Sequence, residues 1–277
     1  MTTILVAIDM TGASRNALSR AARLAQTIGA SLRVLHAVSS RALGKEASKV
    51  RCLVQETVQE VIEDVPAPRP DFSLRITARD AREAILREAQ KIGAGLIVLG
   101  AHGEPRFRDA IFGTTATHVV RHAECPVLVA RNEGSRPYAK VMLALGSAEQ
   151  AKTLRETANI LAPGAALFGV NAFDPSLGRL FSGRDAIERE AEARETMFCD
   201  ALPGGEVVVE DGDPLTVLME EARELAPDLV AMGTSQRAYL NSYAVDALFW
   251  CERDLLIVPV PGHAAKTKLS LRSALLA

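Results

Sequence analysis

The chain alternates two kinds of stretch. Short apolar runs without polar interruption, at 4–8, 32–38, 72–77, 96–99 and 127–130, have the length of strands. Between them the apolar residues recur at helical spacing: Leu18, Ala21, Ala25 and Ile28 share one face, Leu53, Val54, Thr57, Val61 and Val65 a second, and Ala81, Ile85, Ala89 and Ile92 a third. Ser14 is placed to cap the first helix, Gly29 to close it, and Asp80 to cap the third. Strands that are apolar on both faces, each followed by a helix, predict a parallel sheet covered by helices on either side.

The pattern then repeats. ILVAID from Ile4 resembles VMLALG from Val141, and GASLRVLHAV from Gly29 resembles GAALFGVNAF from Gly164. DAREAILREAQKIGAGLIVLG from Asp80 resembles DPLTVLMEEARELAPDLVAMG from Asp213, and CPVLVA from Cys125 resembles DLLIVPV from Asp254. A duplicated α/β unit of about 135 residues is expected, with its border near the breaker-rich RNEGSRPY. We therefore expect two tandem units, each a five-stranded parallel open sheet with helices on both faces, at 1–132 and 138–262, followed by a tail at 263–277.

Charge refines this picture. The net charge of −2 argues against a dedicated nucleic-acid binder, but it hides an asymmetry. Residues 1–137 hold 19 Lys and Arg against 14 Asp and Glu, and the remainder holds 13 against 20. The excess of positive charge in the first half suits a small polyanionic ligand. The four cysteines, at 52, 125, 199 and 251, form no CxxC and no disulfide framework, as in a reducing compartment. No apolar run approaches the roughly 20 residues of a bilayer span, so a soluble cytoplasmic protein with no membrane partner is expected.

The candidate chemistry lies in VLGAHGEPRFRDAIFGTT, which leaves the fourth strand at Gly100 and reaches Gly113, Thr114 and Thr115 at the start of a helix. In an open parallel sheet, ligands sit beyond the carboxyl ends of the strands, where unpaired helix N–H groups favour an anion. Glycines at 100 and 103 let the backbone turn with no Cβ in the way, and Thr114 adds a hydroxyl. The alternative is that these glycines only shape a turn. The segment is no Walker loop, since it lacks GKT or GKS and the lysine that would meet phosphates. Asp9, at the end of the first strand, is either an acceptor for ligand or a helix cap, and Thr11 either meets phosphate or shapes the turn. Arg106 and Arg108 are placed to reach phosphates or to be solvated, while Glu104 opposes a triphosphate.

G-x2-G-x9-G-T after the fourth strand, Asp9 after the first and LHAV ending the second resemble the universal stress protein family, in both halves of the chain and most specifically in the first. The resemblance implies a Rossmann-like, ATP-binding fold, with magnesium as a candidate companion of the ATP. It places Gly100, Gly103, Gly113, Thr114 and Thr115 at phosphates and ribose, Asp9 at the nucleoside, backbone near Ala37 at the adenine, and His102 near the ligand. It also implies edge strands at 127–129 and 256–258 that face one another as an intramolecular pseudo-dimer, with a homodimer as a further assembly.

In the second half Gly146 stands in place of Asp9, Gln236 in place of Gly103, and Ser242 and Tyr243 in place of Gly113 and Thr114. One nucleotide per chain is expected, with the second unit as a packing or partner surface. His118, His122 and Cys125 have a spacing that could hold zinc, but histidines in a last helical turn and a cysteine entering a buried strand explain them better, and no metal site is expected. His36, at a strand end, reads as core-facing or hydrogen-bonded, and Asp211 and Asp213 as structural. Without a nucleophile elbow, HExxH or a paired-carboxylate spacing, no dedicated enzyme is expected; the resemblance implies a regulatory ATP-binding stress-response protein and at most a slow ATPase. An adenine-nucleotide enzyme transferring adenylyl groups and a nucleotide-independent scaffold are the alternatives.

Overall fold

The structure is a computed structural model that describes residues 2–38, 47–101, 114–134, 136–174, 183–235 and 243–260. The chain divides into two compact units, the first reaching Pro137 and the second running Tyr138–Val260.

In the first unit the strands are β1 (Thr3–Ile8), β2 (Ser31–Ala37), β3 (Phe72–Thr77), β4 (Leu96–Gly100) and β5 (Val127–Ala130), and the helices are α1 (Gly12–Ile28), α2 (Ala47–Glu63), α3 (Ala81–Ile92) and α4 (Thr114–His122). The strands are all parallel, in the order β3-β2-β1-β4-β5. Helices α1 and α2 pack together on one side, with α1 against β1 and β4. Helices α3 and α4 form the other layer, with α3 against β1 and β2. The uninterrupted apolar runs follow from this double cover: Ile4, Leu5 and Val6 are consecutive and fully buried, as are Leu96, Ile97 and Val98. Burial of each such side chain contributes on the order of 1.5–3 kcal/mol.

The second unit repeats the plan with β6 (Lys140–Ala144), β7 (Ala166–Phe173), β8 (Glu206–Asp211), β9 (Leu229–Ser235) and β10 (Asp254–Val260). Its helices are α5 (Ala148–Leu161), α6 (Gly183–Ala201), α7 (Pro214–Leu225) and α8 (Tyr243–Trp250). The order β8-β7-β6-β9-β10, again parallel throughout, matches that of the first unit strand for strand. Each first strand sits in the middle, so its carboxyl end lies at the point where strand order reverses, the place for a ligand crevice in such sheets.

The caps follow the sequence with one correction. Gly29 closes α1 in the left-handed conformation at φ 65°, and Asp80 caps α3 by accepting from the Arg82 N–H. Asp213 caps α7 in the same way, through the N–H and hydroxyl of Thr216, which is the structural role expected of it. Ser14, however, is not the cap of α1. Thr11 holds that position and its hydroxyl accepts from the Ser14 N–H, because the turn after β1 closes on Asp9 and the helix begins at Gly12, which puts the cap three residues before Ser14. No helix among the described residues is long and apolar enough to cross a membrane.

Candidate functional site

The turn from β1 into α1 is built around Asp9. Its Oδ1 accepts from the Thr11 N–H at 3.1 Å and from the Thr11 hydroxyl at 2.6 Å, a side-chain-closed turn. Met10, between them, adopts φ 68°, a left-handed conformation that a non-glycine residue rarely takes. Thr11 therefore shapes the turn and caps the helix, and Asp9 is held at an exposed strand end by the same bonds. Below it, His36 is buried and its Nδ1 lies 2.9 Å from the Ile8 carbonyl, tying the end of β2 to the end of β1. His36 is thus the hydrogen-bonded, core-facing residue the sequence suggested.

A cleft of about 130 Å³ opens at these carboxyl ends. Asp9, Ala37, Gly100 and Thr115, distant in sequence, meet on its wall. Leu35, Ile85 and Leu99 give it an apolar floor, and Ser14 closes one side with a side chain that is almost fully buried. The amino ends of both α3 and α4 contribute, through Ala81 and through Thr115 and Ala116. Such ends present unpaired N–H groups and a positive dipole end. Beside the mouth, the Arg82 side chain hydrogen-bonded to Asp80 holds that carboxyl below its ordinary 3.8.

Of the residues named from sequence, the structure thus brings together Asp9, Ala37, Gly100 and Thr115, and Thr114 opens α4. His102, Gly103 and Gly113 lie outside the described residues, as do Glu104, Arg106, Arg108, Gln236, Ser242 and the tail at 263–277. Gly100 has a packing reason to lack a side chain. A Cβ there would stand 2.6 Å from the Ala13 carbonyl oxygen and 2.9 Å from the Ser14 nitrogen, so the first turn of α1 already fills that space.

His118 and His122 stack at 4.3 Å between ring centroids, and the His122 Nδ1 lies 2.7 Å from the His118 carbonyl. Burial pushes the Cys125 thiol up to about 12, which leaves it protonated at neutral pH. Among the described residues no group of three His, Cys, Asp or Glu side chains is disposed to hold a metal ion.

Sequence reasoning missed the residue whose side chain lies at the matching place in the second unit. There Ser147 caps α5 by accepting from the Gln150 N–H, and the Gln150 side chain turns back so that its Oε1 accepts from the Gly146 N–H at 2.8 Å. The rest of that side chain lies over Gly233, where a Cβ would meet Gln150 Cδ and Cγ at 2.7 Å. The available signal was Ser-x-x-Gln at a helix start, the spacing of a capping box.

A doubly wound parallel unit with its crevice at the strand-order reversal defines the class: a Rossmann-like α/β fold with a cleft at the strand ends. The family model of the universal stress protein family matches residues 1–131 and 137–245, and the chain belongs to that family. A universal stress protein of Thermus aquaticus, encoded in the 3′ region of a sulfhydrylase gene, is 35% identical over 136 residues, which cover 47% of this chain and 98% of the relative. The crystal structure of a universal stress protein from Archaeoglobus fulgidus superposes with a TM-score of 0.67 at 14% identity, covering 93% of this chain and 98% of that one. Another universal stress protein, solved in complex with the adenine nucleotide cAMP, matches 47% of this chain and 96% of its own at 21% identity, with a TM-score of 0.39.

Proposed function

We propose that this protein is an ATP-binding regulator of a stress response, with the nucleotide held by the first unit and the second unit serving as a packing or partner surface. The observation that carries this is the cleft where Asp9, Ala37, Gly100 and Thr115 converge on an apolar floor. Its floor suits a purine. Asp9, fixed by its bonds to Thr11, accepts a ribose hydroxyl or the adenine amino group at the mouth. Backbone near Ala37 meets the adenine edge, and the amino end of α4, with Thr114 and Thr115, receives phosphate. His102, Gly103 and Gly113 complete the phosphate side in this reading, and magnesium accompanies the phosphates. Such a site gives the protein two states, empty and occupied, through which a partner can sense adenine nucleotide.

Calorimetric titration of the full chain with magnesium and ATP tests the reading. One equivalent should bind, and Asp9→Ala should weaken it by about tenfold or more, the worth of one charge-assisted hydrogen bond. Gly113→Asp should abolish binding and leave thermal unfolding unchanged. No heat at millimolar ATP, or full binding by folded Gly113→Asp protein, would overturn it.

A further inference from the structure

Ser14 and Gln150 occupy the same place in the two units. Each is the third residue of the helix that follows the central strand, and each donates its backbone N–H to the cap hydroxyl, of Thr11 or of Ser147. Ser14 is short: its hydroxyl donates to the Thr11 carbonyl at 2.9 Å and the side chain stays at the wall of the cleft. Gln150 is longer by two heavy atoms in reach, and it crosses from α5 to the end of the central strand at Gly146 and onto the end of β9 at Gly233. Both landing points are glycines, at the positions where the first unit has Asp9 and Gly100. A side chain at 146 or 233 would collide with the Gln150 amide, so the glutamine and the two glycines form one fitted arrangement.

From this we infer that Gln150 is a built-in plug, a primary amide that fills the second unit's cleft and closes it to nucleosides. The amide satisfies the Gly146 N–H, a donor that would otherwise face a ligand or water, and it covers the strand end with its methylenes. Access to the space at the strand ends is then set at one helix position, serine in the open unit and glutamine in the closed one. That the open unit's ligand is an adenine nucleotide rests on the reading above; that the second cleft is filled does not.

The test exchanges the two side chains in the full chain and follows backbone amides by NMR with adenosine as the probe. In the wild type, adenosine should shift amides of the first unit and leave Gly146, Asn171 and Gly233 unmoved. Gln150→Ser should speed hydrogen exchange at the Gly146 amide and gain adenosine-dependent shifts at those three positions in the range of about 1–10 mM, a weak but measurable affinity. In the reciprocal experiment Ser14→Gln should weaken adenosine binding by the first unit about 10- to 100-fold, the scale of overfilling a fitted site. If Gln150→Ser frees the Gly146 amide yet adenosine moves nothing in the second unit, or if folded Ser14→Gln protein binds adenosine like the wild type, the plug is overturned. Wild-type protein whose first unit ignores adenosine would instead remove the proposed function, and the Gln150→Ser arm would still judge the plug by itself.

Discussion

The two units solve the same folding problem and differ in what they leave at the strand ends. Strand order, parallel register and the caps at Thr11 and Ser147, and at Asp80 and Asp213, are shared. So is the tie beneath the mouth: His36 reaches the Ile8 carbonyl in the first unit, and Asn171, equally buried, donates to the Leu145 carbonyl at 2.6 Å in the second. The ligand side differs: where the first unit has a carboxylate at Asp9 the second has a glycine at 146, and where the first has Ser14 the second has Gln150. The comparison separates residues that make the fold from residues that keep a space empty within it.

The sharpest break in that comparison comes from the paired glycines. Gly100→Ala pushes a Cβ into the backbone of Ala13 and Ser14, which cannot move without shifting α1. It should destabilise the first unit by about 3 kcal/mol, at the upper end of overpacking costs, as read by urea unfolding. Next come the ties: His36→Leu and Asn171→Leu each leave a buried strand-end carbonyl short of its donor, and each should cost about 2 kcal/mol in the same measurement. Gly233→Ala should cost only about 1 kcal/mol, since the Gln150 side chain can swing away, and the cost should vanish in a Gln150→Ala background. Equal costs for Gly100→Ala and Gly233→Ala would show that the helix approaches both strand ends alike.

The smallest expected effect is on pH dependence and belongs to the first unit. Burial first, then the neighbouring charges of His122 and Arg82, lower the pKa of His118 below its ordinary 6.5. A proton therefore binds the unfolded chain more readily than the folded one. Stability from this group is fully present above 6.5 and is lost as pH falls through that value toward the folded pKa. His118→Gln should flatten that part of the stability profile, measured by unfolding between about pH 7 and 5. An unchanged slope would remove His118 from the account.

Most of the fold was legible because double cover leaves a plain mark: runs such as Leu96, Ile97 and Val98 carry no polar alternation, and the duplication printed the pattern twice. The site was legible in part. Asp9, Gly100 and Thr115 could be named because position relative to a strand end follows from the sequence pattern, and Ala37 because the family resemblance pointed to it. What could not be read is what a residue's neighbours do in space. Gly100 sits in a glycine-rich motif, yet its packing partner is the first turn of α1. Thr11 rather than Ser14 became the cap because Asp9 tightened the turn ahead of it. Gln150 drew no notice because a glutamine on a helix normally faces solvent, and only its bond to Gly146 reveals where it goes.

The tie from His36 to Ile8, repeated by Asn171 and Leu145, has a consequence for the history of a duplicated chain. Because a side chain of the chain itself makes each tie, the tie needs no ligand to form. A substitution that discards ligand chemistry, such as aspartate to glycine at the central strand's end, leaves this tie in place even where it costs the bonds of the turn, whereas loss of the tie is exposed to selection for folding in both copies. One copy could drift into silence while the other stayed under constraint, and the silent copy would remain a sound piece of architecture throughout.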